Sequence, residues 1–323
     1  MSKLLERKVA IITGSGSSVG RYAAESMAAE GAKVITNSRK PGSSYDTFEG
    51  KKIKLTEEEK AAIKPFVTDA KDVADGIIAK GGQAIPVFGS ILESSFCEKL
   101  VKTAVDNWGR VDILVNTANS AWIGSVVDMT EDKWDVQVNS KLKHQYVMAH
   151  YALPYMMEQK YGRIINCASD AFQGIMGLSA YSAASNGIIA FTKSISQDLA
   201  SYGITANVFS PLAKARSFIN TLAVFREQGV PAEVIEEGAP AGMKRLATVF
   251  APFITYLASP EAANITGQHF ELQADGLIGL WSTPELVSSI TKEEGDWTID
   301  EIRAQIAGLL KGATKDRTTI PLK

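Results

Sequence analysis

The chain has 323 residues, 45% of them hydrophobic and 22% charged, with a formal net charge of −2. That size and usage suffice for a large buried core, and the near-balanced charge gives no overall field to draw nucleic acid or an anionic membrane. The sequence holds no zinc-finger spacing, long basic run or apolar stretch of membrane-spanning length, so neither nucleic acid nor membrane is an expected partner.

The opening MSKLLERKVAIITG has a short apolar stretch without a small-residue cleavage pattern, so it leads into a strand rather than forming a signal peptide. Val9 to Thr13 is a short apolar run ending at Gly14, the pattern of a buried parallel strand. Arg21 to Glu30 is alanine-rich and stops at Gly31, as a helix does at a C-terminal glycine. Further strands are expected at Lys33–Thr36, Ala84–Phe88, Val111–Val115, Arg163–Cys167, Thr205–Phe209 and His269–Leu272, with helices between them, including Glu131–Glu158 and Tyr181–Tyr202. This alternation predicts an α/β fold, a doubly wound parallel sheet with helices on both faces. Its ligand belongs at the carboxyl ends of the strands, where the strand order switches.

Two stretches look like additions to one domain spanning 1–276. Pro41 to about Asp69 opens on the turn-rich PGSSYDTFEGKK, and Thr56 with Glu59 makes a capping box for a short helix. The tail, 277–323, carries a second capping box, Thr298 with Glu301. It opens a helix to about Leu310 with Ile302, Ile306 and Leu309 along one stripe. The two cysteines, Cys97 and Cys167, are far apart in apolar settings. They are expected to be core residues in a reducing compartment, the cytoplasm, rather than a disulfide or metal ligands.

TGSGSSVG, Thr13 to Gly20, follows a strand and opens a helix. Amides at such a helix start face a diphosphate, and the helix dipole favours its charge. A dinucleotide-binding turn is therefore expected here. Nucleotide choice falls to the end of the second strand, where an acid binds ribose hydroxyls and an arginine a 2′-phosphate. The residues there are Thr36, Asn37, Ser38, Arg39 and Lys40, with no acid, which points to NADP, with NAD as the alternative.

The ordered motifs resemble those of the short-chain dehydrogenase/reductase family over roughly Lys8 to Gly276. TGSGSSVG is similar to the family's TGxxxGxG, and Asn116, Thr117, Ala118 and Asn119 stand where it has NNAG. Asn139 in VNSKLKH resembles its helix asparagine, Ser169 in GRIINCAS its serine, and Tyr181 in YSAAS its YxxxK tyrosine. ITANVFSP, ending at Pro211, and LASPEAANITGQ resemble its closing segments. The long second-strand loop and LAKAR look like those of hydroxyacyl-CoA dehydrogenases and their bacterial relatives. The resemblance implies hydride exchange between a nicotinamide and a carbonyl or hydroxy substrate, such as a hydroxyacyl-CoA. Tyr181 would be the acid/base, Ser169 would hold the substrate oxygen, and Asn139 would support the proton relay. The nucleotide would be held by Thr13, Gly14, Ser15, Ser17, Ser18, Val19, Gly20, Ser38, Arg39, Asn116, Ala118 and Pro211. A homo- or hetero-oligomer, dimer or tetramer, is also implied.

The match has gaps. Position 185, where the family has lysine, is Ser185. Ser18 replaces the middle glycine, Thr117 and Asn119 depart from NNAG, and Gly89 stands where many members have an aspartate beside the adenine. A phenol titrates near 10 and needs a neighbouring cation to act as a base at neutral pH. A cation about 4 Å away is worth roughly 4 kcal/mol at an effective dielectric of about 20. Weak or one-directional turnover is therefore expected, and a gain in Ser185→Lys, unless Lys141, Lys143 or Lys214 reaches in. Two readings stay open: an oxidoreductase, or an impaired member acting as a structural or regulatory subunit beside an active relative. Arg216 in LAKAR is a candidate partner for a substrate phosphate or carboxylate. Arg216 to Met243, with Phe218, Leu222, Phe225 and Val230, is the expected apolar cover.

Overall fold

The computed structural model describes residues 3–42, 47–48, 51–175, 177–227, 229, 245–285, 288–292 and 297–309. They fall into two compact units, Met1–Trp281 and Ser282–Lys323. In the first, β1 (Val9–Thr13) leads into α1 (Ser18–Ala29) and β2 (Lys33–Ser38). The insertion follows, with the short strands β3 (Thr47–Phe48) and β4 (Lys51–Lys52) and helix α2 (Glu57–Ile63). Then come α3 (Ala70–Ala79), β5 (Gln83–Phe88), α4 (Ser94–Trp108), β6 (Ile113–Asn116), α5 (Glu131–Val138) and α6 (His144–Gln159). β7 (Gly162–Cys167), α7 (Ser179–Asp198), β8 (Ile204–Leu212), α8 (Arg216–Glu227), α9 (Ala251–Leu257), β9 (His269–Gln273) and β10 (Ile278–Trp281) complete the unit.

The main sheet has eight strands in the order β10-β9-β8-β7-β6-β1-β2-β5. Every pairing is parallel except the last, β10 against β9. Alternating side chains bury both faces. Ala10 and Ile12 of β1 join Ile113 and Val115 of β6 in one core, and Val9 and Ile11 join Leu114 in the other. Strand order reverses between β1 and β6, whose ends Thr13 and Asn116 are register partners. The crevice predicted from the alternation therefore opens there.

The expected strands are all present. β10 is a further strand within the expected tail; it pairs Trp281 with His269 and Ile278 with Leu272. Its apolar side chains Ile278, Leu280 and Trp281 are exposed, so backbone pairing with β9 rather than burial makes it a strand. The helix expected unbroken over Glu131–Glu158 is instead interrupted by a π-helical turn, Asn139–Lys143. Both capping boxes form: Thr56 with Glu59 on α2, and Thr298 with Glu301. The latter opens α10 (Ile299–Leu309) in the second unit, where Leu310 lies outside the described residues. Cys97 and Cys167 are buried and free. No helix among the described residues is long and apolar enough to cross a membrane.

Candidate active site

The glycine turn is built by contacts within the chain. Gly14 has φ +68, and a Cβ there would lie 2.8 Å from the Ala118 backbone, so only glycine fits. Its amide donates to Asn37 Oδ1 (3.2 Å), while Asn37 Nδ2 donates to Val87 O (3.2 Å). Asn37, which the motif comparison passed over, thus ties the turn to β5. The Ser15 hydroxyl donates to Ile12 O and accepts from the Asn37 amide. Thr13 Oγ1 accepts from the amides of Thr117 and Ala118, clamping the loop after β6 onto β1. The glycine rationale therefore broadens: the space beside Gly14 and Gly20 is taken by Ala118 and Thr117 as well as left clear for a ligand.

What remains open is the start of α1. Ser17 is its N-cap but makes no side-chain cap hydrogen bond, and the buried Ser18 hydroxyl has no partner. Uncapped amides, a positive dipole end and an orphaned hydroxyl fit a diphosphate. Val19 packs partly buried against the core behind this turn. Ser38 is buried, its Oγ 2.0 Å from where a Cβ on Gly16 would stand. Arg39 is exposed. Arg216, at the start of α8, is held below its ordinary value by burial first and by the charge of Arg39 second. No carboxylate pairs with either guanidinium among the described residues.

Some expected ligands turn elsewhere. Asn116 is fully buried and donates to Asn166 Oδ1 (2.9 Å), and Asn166 donates to Thr192 Oγ1 (2.9 Å). Its side chain thus stitches β6 to β7 and α7. A Cβ at Gly89 would lie 2.2 Å from the Phe96 ring, so an aspartate there would require Phe96 to move. Pro211 is partly buried on β8, in register with Leu272 of β9. The expected cover is only partly described: α8 is present, and Val230 with the rest of 230–244 lies outside the described residues.

The two residues that the motifs suggest for chemistry lie just after β7 and on α7. Ser169 caps a short 3-10 turn, Asp170–Gln173. Its Oγ donates to Asp170 Oδ1 (3.0 Å) and accepts from the Ala171 amide (3.2 Å). Asn186 of α7 donates to the Phe172 carbonyl, pinning that turn to the helix that carries Tyr181. Ser185 is fully buried and its hydroxyl donates to Tyr181 O (2.7 Å), a bond within its own helix. Its hydroxyl is thus turned to the backbone of α7.

The cation comes from the π-turn. Lys141 is fully buried, its Nζ 4.2 Å from the Tyr181 ring centroid and donating to Ala168 O (3.0 Å). Of the cations weighed from sequence, Lys143 is exposed, and Lys214 engages through its backbone with Arg245 and Leu246. Asn139 makes no side-chain hydrogen bond among the described residues; Lys141, two residues on, is the residue of this turn that meets Tyr181. Gln145 supports it, donating to Lys141 O (2.9 Å) and Cys167 O (3.2 Å). No short-range sequence signal points to Asn37 or Gln145, because each also bonds a strand end distant in sequence, Val87 for Asn37 and Cys167 for Gln145.

A family model described as Enoyl-(Acyl carrier protein) reductase matches residues 57–276. The chain is 30% identical over 270 residues to the 3-oxoacyl-[acyl-carrier-protein] reductase of Synechocystis sp., covering 83% of this chain and 96% of that one. It is 32% identical over 276 residues to the peroxisomal hydratase-dehydrogenase-epimerase of Saccharomyces cerevisiae, covering 84% of this chain but 26% of that larger protein. A crystal structure of a short chain dehydrogenase from Mycobacterium avium superposes with a TM-score of 0.75 at 26% identity, covering 99% of both chains.

Proposed function

Because the chain belongs to the short-chain dehydrogenase/reductase family, we propose that it is an NADP(H)-dependent oxidoreductase interconverting a 3-oxoacyl and a 3-hydroxyacyl thioester. The observation that carries this reading is the meeting of Tyr181 with a buried ammonium beside the strand end that bears Ser169. A bound nicotinamide would supply hydride transfer. Tyr181 then gives a proton to the carbonyl oxygen in reduction and takes it back in oxidation. Ser169 hydrogen-bonds that oxygen once its hydroxyl turns from Asp170 to the substrate. The uncapped amides at the start of α1 would hold the diphosphate, and Asn139 would support a relay only through the backbone of its turn.

Support for NADP(H) is the unpaired basic end of β2. Arg216 feels the charge of Arg39, and no carboxylate pairs with either guanidinium among the described residues, an arrangement that accepts a phosphate. The thioester class is supported by the relatives, whose names include a 3-oxoacyl-[acyl-carrier-protein] reductase and a (2S)-[(R)-hydroxy(phenyl)methyl]succinyl-CoA dehydrogenase subunit of Thauera aromatica. The deciding experiment titrates the purified protein with NADPH and with NADH, then adds acetoacetyl-CoA and follows nucleotide oxidation. Tighter NADPH binding, by on the order of tenfold for one phosphate–arginine contact, and turnover of the thioester are expected. Binding without turnover on any 3-oxoacyl thioester would favour the structural-subunit reading, and absence of nucleotide binding would remove the enzymatic one.

A further inference from the structure

We propose that Lys141 is the active-site cation of this chain: the positive charge that position 185 lacks has moved from α7 to the π-turn between α5 and α6, and the site is complete. The inference rests on the reading of Tyr181 as the acid/base.

An ammonium with no exposed surface is costly to hold unless its charge and donors are used. Lys141 has three donors. One bonds Ala168 O, and the charge lies over the Tyr181 ring. No carboxylate pairs with it among the described residues. The groups packed around it leave its charge unneutralised. His144 is pushed down to about 3, by burial first and by Lys141 second, so it stays neutral. Cys167 is pushed up to about 11 by burial, against the pull of Lys141, so it stays a thiol. Its remaining donors are thus left for the phenol and for whatever binds beside it.

The backbone is shaped for this. A π-turn adds a residue to a helical turn, weakens its hydrogen bonding and recurs at functional sites. Here it buries Ser140 and Lys141 together. α7 yields to it at Gly187, where a Cβ would lie 2.7 Å from the Leu142 side chain. Ser185 folds its short side chain back onto Tyr181 O. A lysine at 185, one helical turn along from Tyr181, would aim a second ammonium at the same phenol. Positions 141 and 185 are therefore alternatives, and the exchange predicts a sign that simple restoration does not.

The experiment compares wild type, Lys141→Met, Lys141→Gln, Ser185→Lys and the double variant Lys141→Met/Ser185→Lys. Loss of the cation lowers kcat for alcohol oxidation by on the order of 10²-fold and lowers ketone reduction less, because reduction uses the neutral phenol. It also moves the rising limb of the oxidation pH profile to higher pH. Lys141→Gln, which can keep the bond to Ala168 O, should fall as far as Lys141→Met. Ser185→Lys alone gives no gain, and the double variant recovers to within about tenfold of wild type. Wild-type kinetics in Lys141→Met, or no recovery in the double variant, would overturn the proposal. A second readout needs no turnover. The tyrosinate absorbance lost on Tyr181→Phe should develop at lower pH with Lys141 present than in the Lys141→Met background, and coincident curves would also overturn it. If wild type neither binds nucleotide nor turns over, the functional reading fails while this titration still decides the role of Lys141.

Discussion

Ser18 shows what a single departure from the family's glycine pattern costs. Its φ is 51, in the left-handed region, where a side chain costs about 1–2 kcal/mol. Its hydroxyl is also buried without a partner. Ser18→Gly relieves both, against an entropic loss of about 0.4–1 kcal/mol in the unfolded chain. The expected result is a net gain of about 0.5–1 kcal/mol, a rise of roughly 2 °C in Tm, with NADPH bound more weakly because the orphaned hydroxyl at the diphosphate site is gone. NADPH binding that stays as tight in the more stable Ser18→Gly protein would show that the hydroxyl does not serve the ligand. The same scale explains why Gly14 allows no such exchange: it combines φ +68 with the Ala118 backbone 2.8 Å from any Cβ.

At the scale of elements, the insertion between β2 and α3 joins the glycine turn to α8. Thr68 Oγ1 donates to Gly16 O (2.5 Å) at one end. At the other, Arg226 of α8 makes a two-pronged bond to Glu59 (3.1 and 3.0 Å), and the Lys54 amide donates to Glu227 Oε1 (2.7 Å). Ile63, Phe66 and Ile219 form a small core between α2 and α8. A half-exposed ion pair adds about 1 kcal/mol at most, so the apolar contact carries the docking. Ile63→Ala is expected to cost about 2–4 kcal/mol locally and to speed amide hydrogen exchange in α8 as well as α2. Protection of α8 that stays unchanged in this variant would mean that the insertion does not order it.

Over the whole molecule, buried neutral histidines make the fold sensitive to acid. His144 is pushed down to about 3 by burial and Lys141, and His269 to about 4 by burial and Lys193, from an ordinary 6.5. Below 6.5 the unfolded chain takes up protons that the folded chain refuses. The stability these groups contribute is thus complete above 6.5 and lost as pH falls toward each folded value. Each histidine draws about 1.4 kcal/mol per pH unit in that window. Glu271 works the other way, held above its ordinary value by burial first and by Asp170 among its neighbours. Urea unfolding of wild type and His144→Leu, at about pH 7 and about pH 5, should show the variant losing roughly 2 kcal/mol less. Equal losses would contradict a neutral, buried His144.

What the sequence by itself determined is whatever depends on neighbours a few residues apart. Apolar runs such as Val9–Thr13, the turn Thr13–Gly20 and the reciprocal caps Thr56/Glu59 and Thr298/Glu301 are local, and they were legible. The order of motifs supplied the family, and hence Ser169 and Tyr181 as candidates. What only the tertiary structure decided involves partners from separate elements. Asn37 grips Gly14 and β5 at once, Asn116 turns away into Asn166, and β10 becomes a strand by borrowing the edge of β9. The break in the helix after Val138 has no proline or glycine to announce it. Position 185 looked like a missing charge because a motif is read along one helix. A Coulomb interaction depends on distance in space, and Lys141 meets Tyr181 from a different helix.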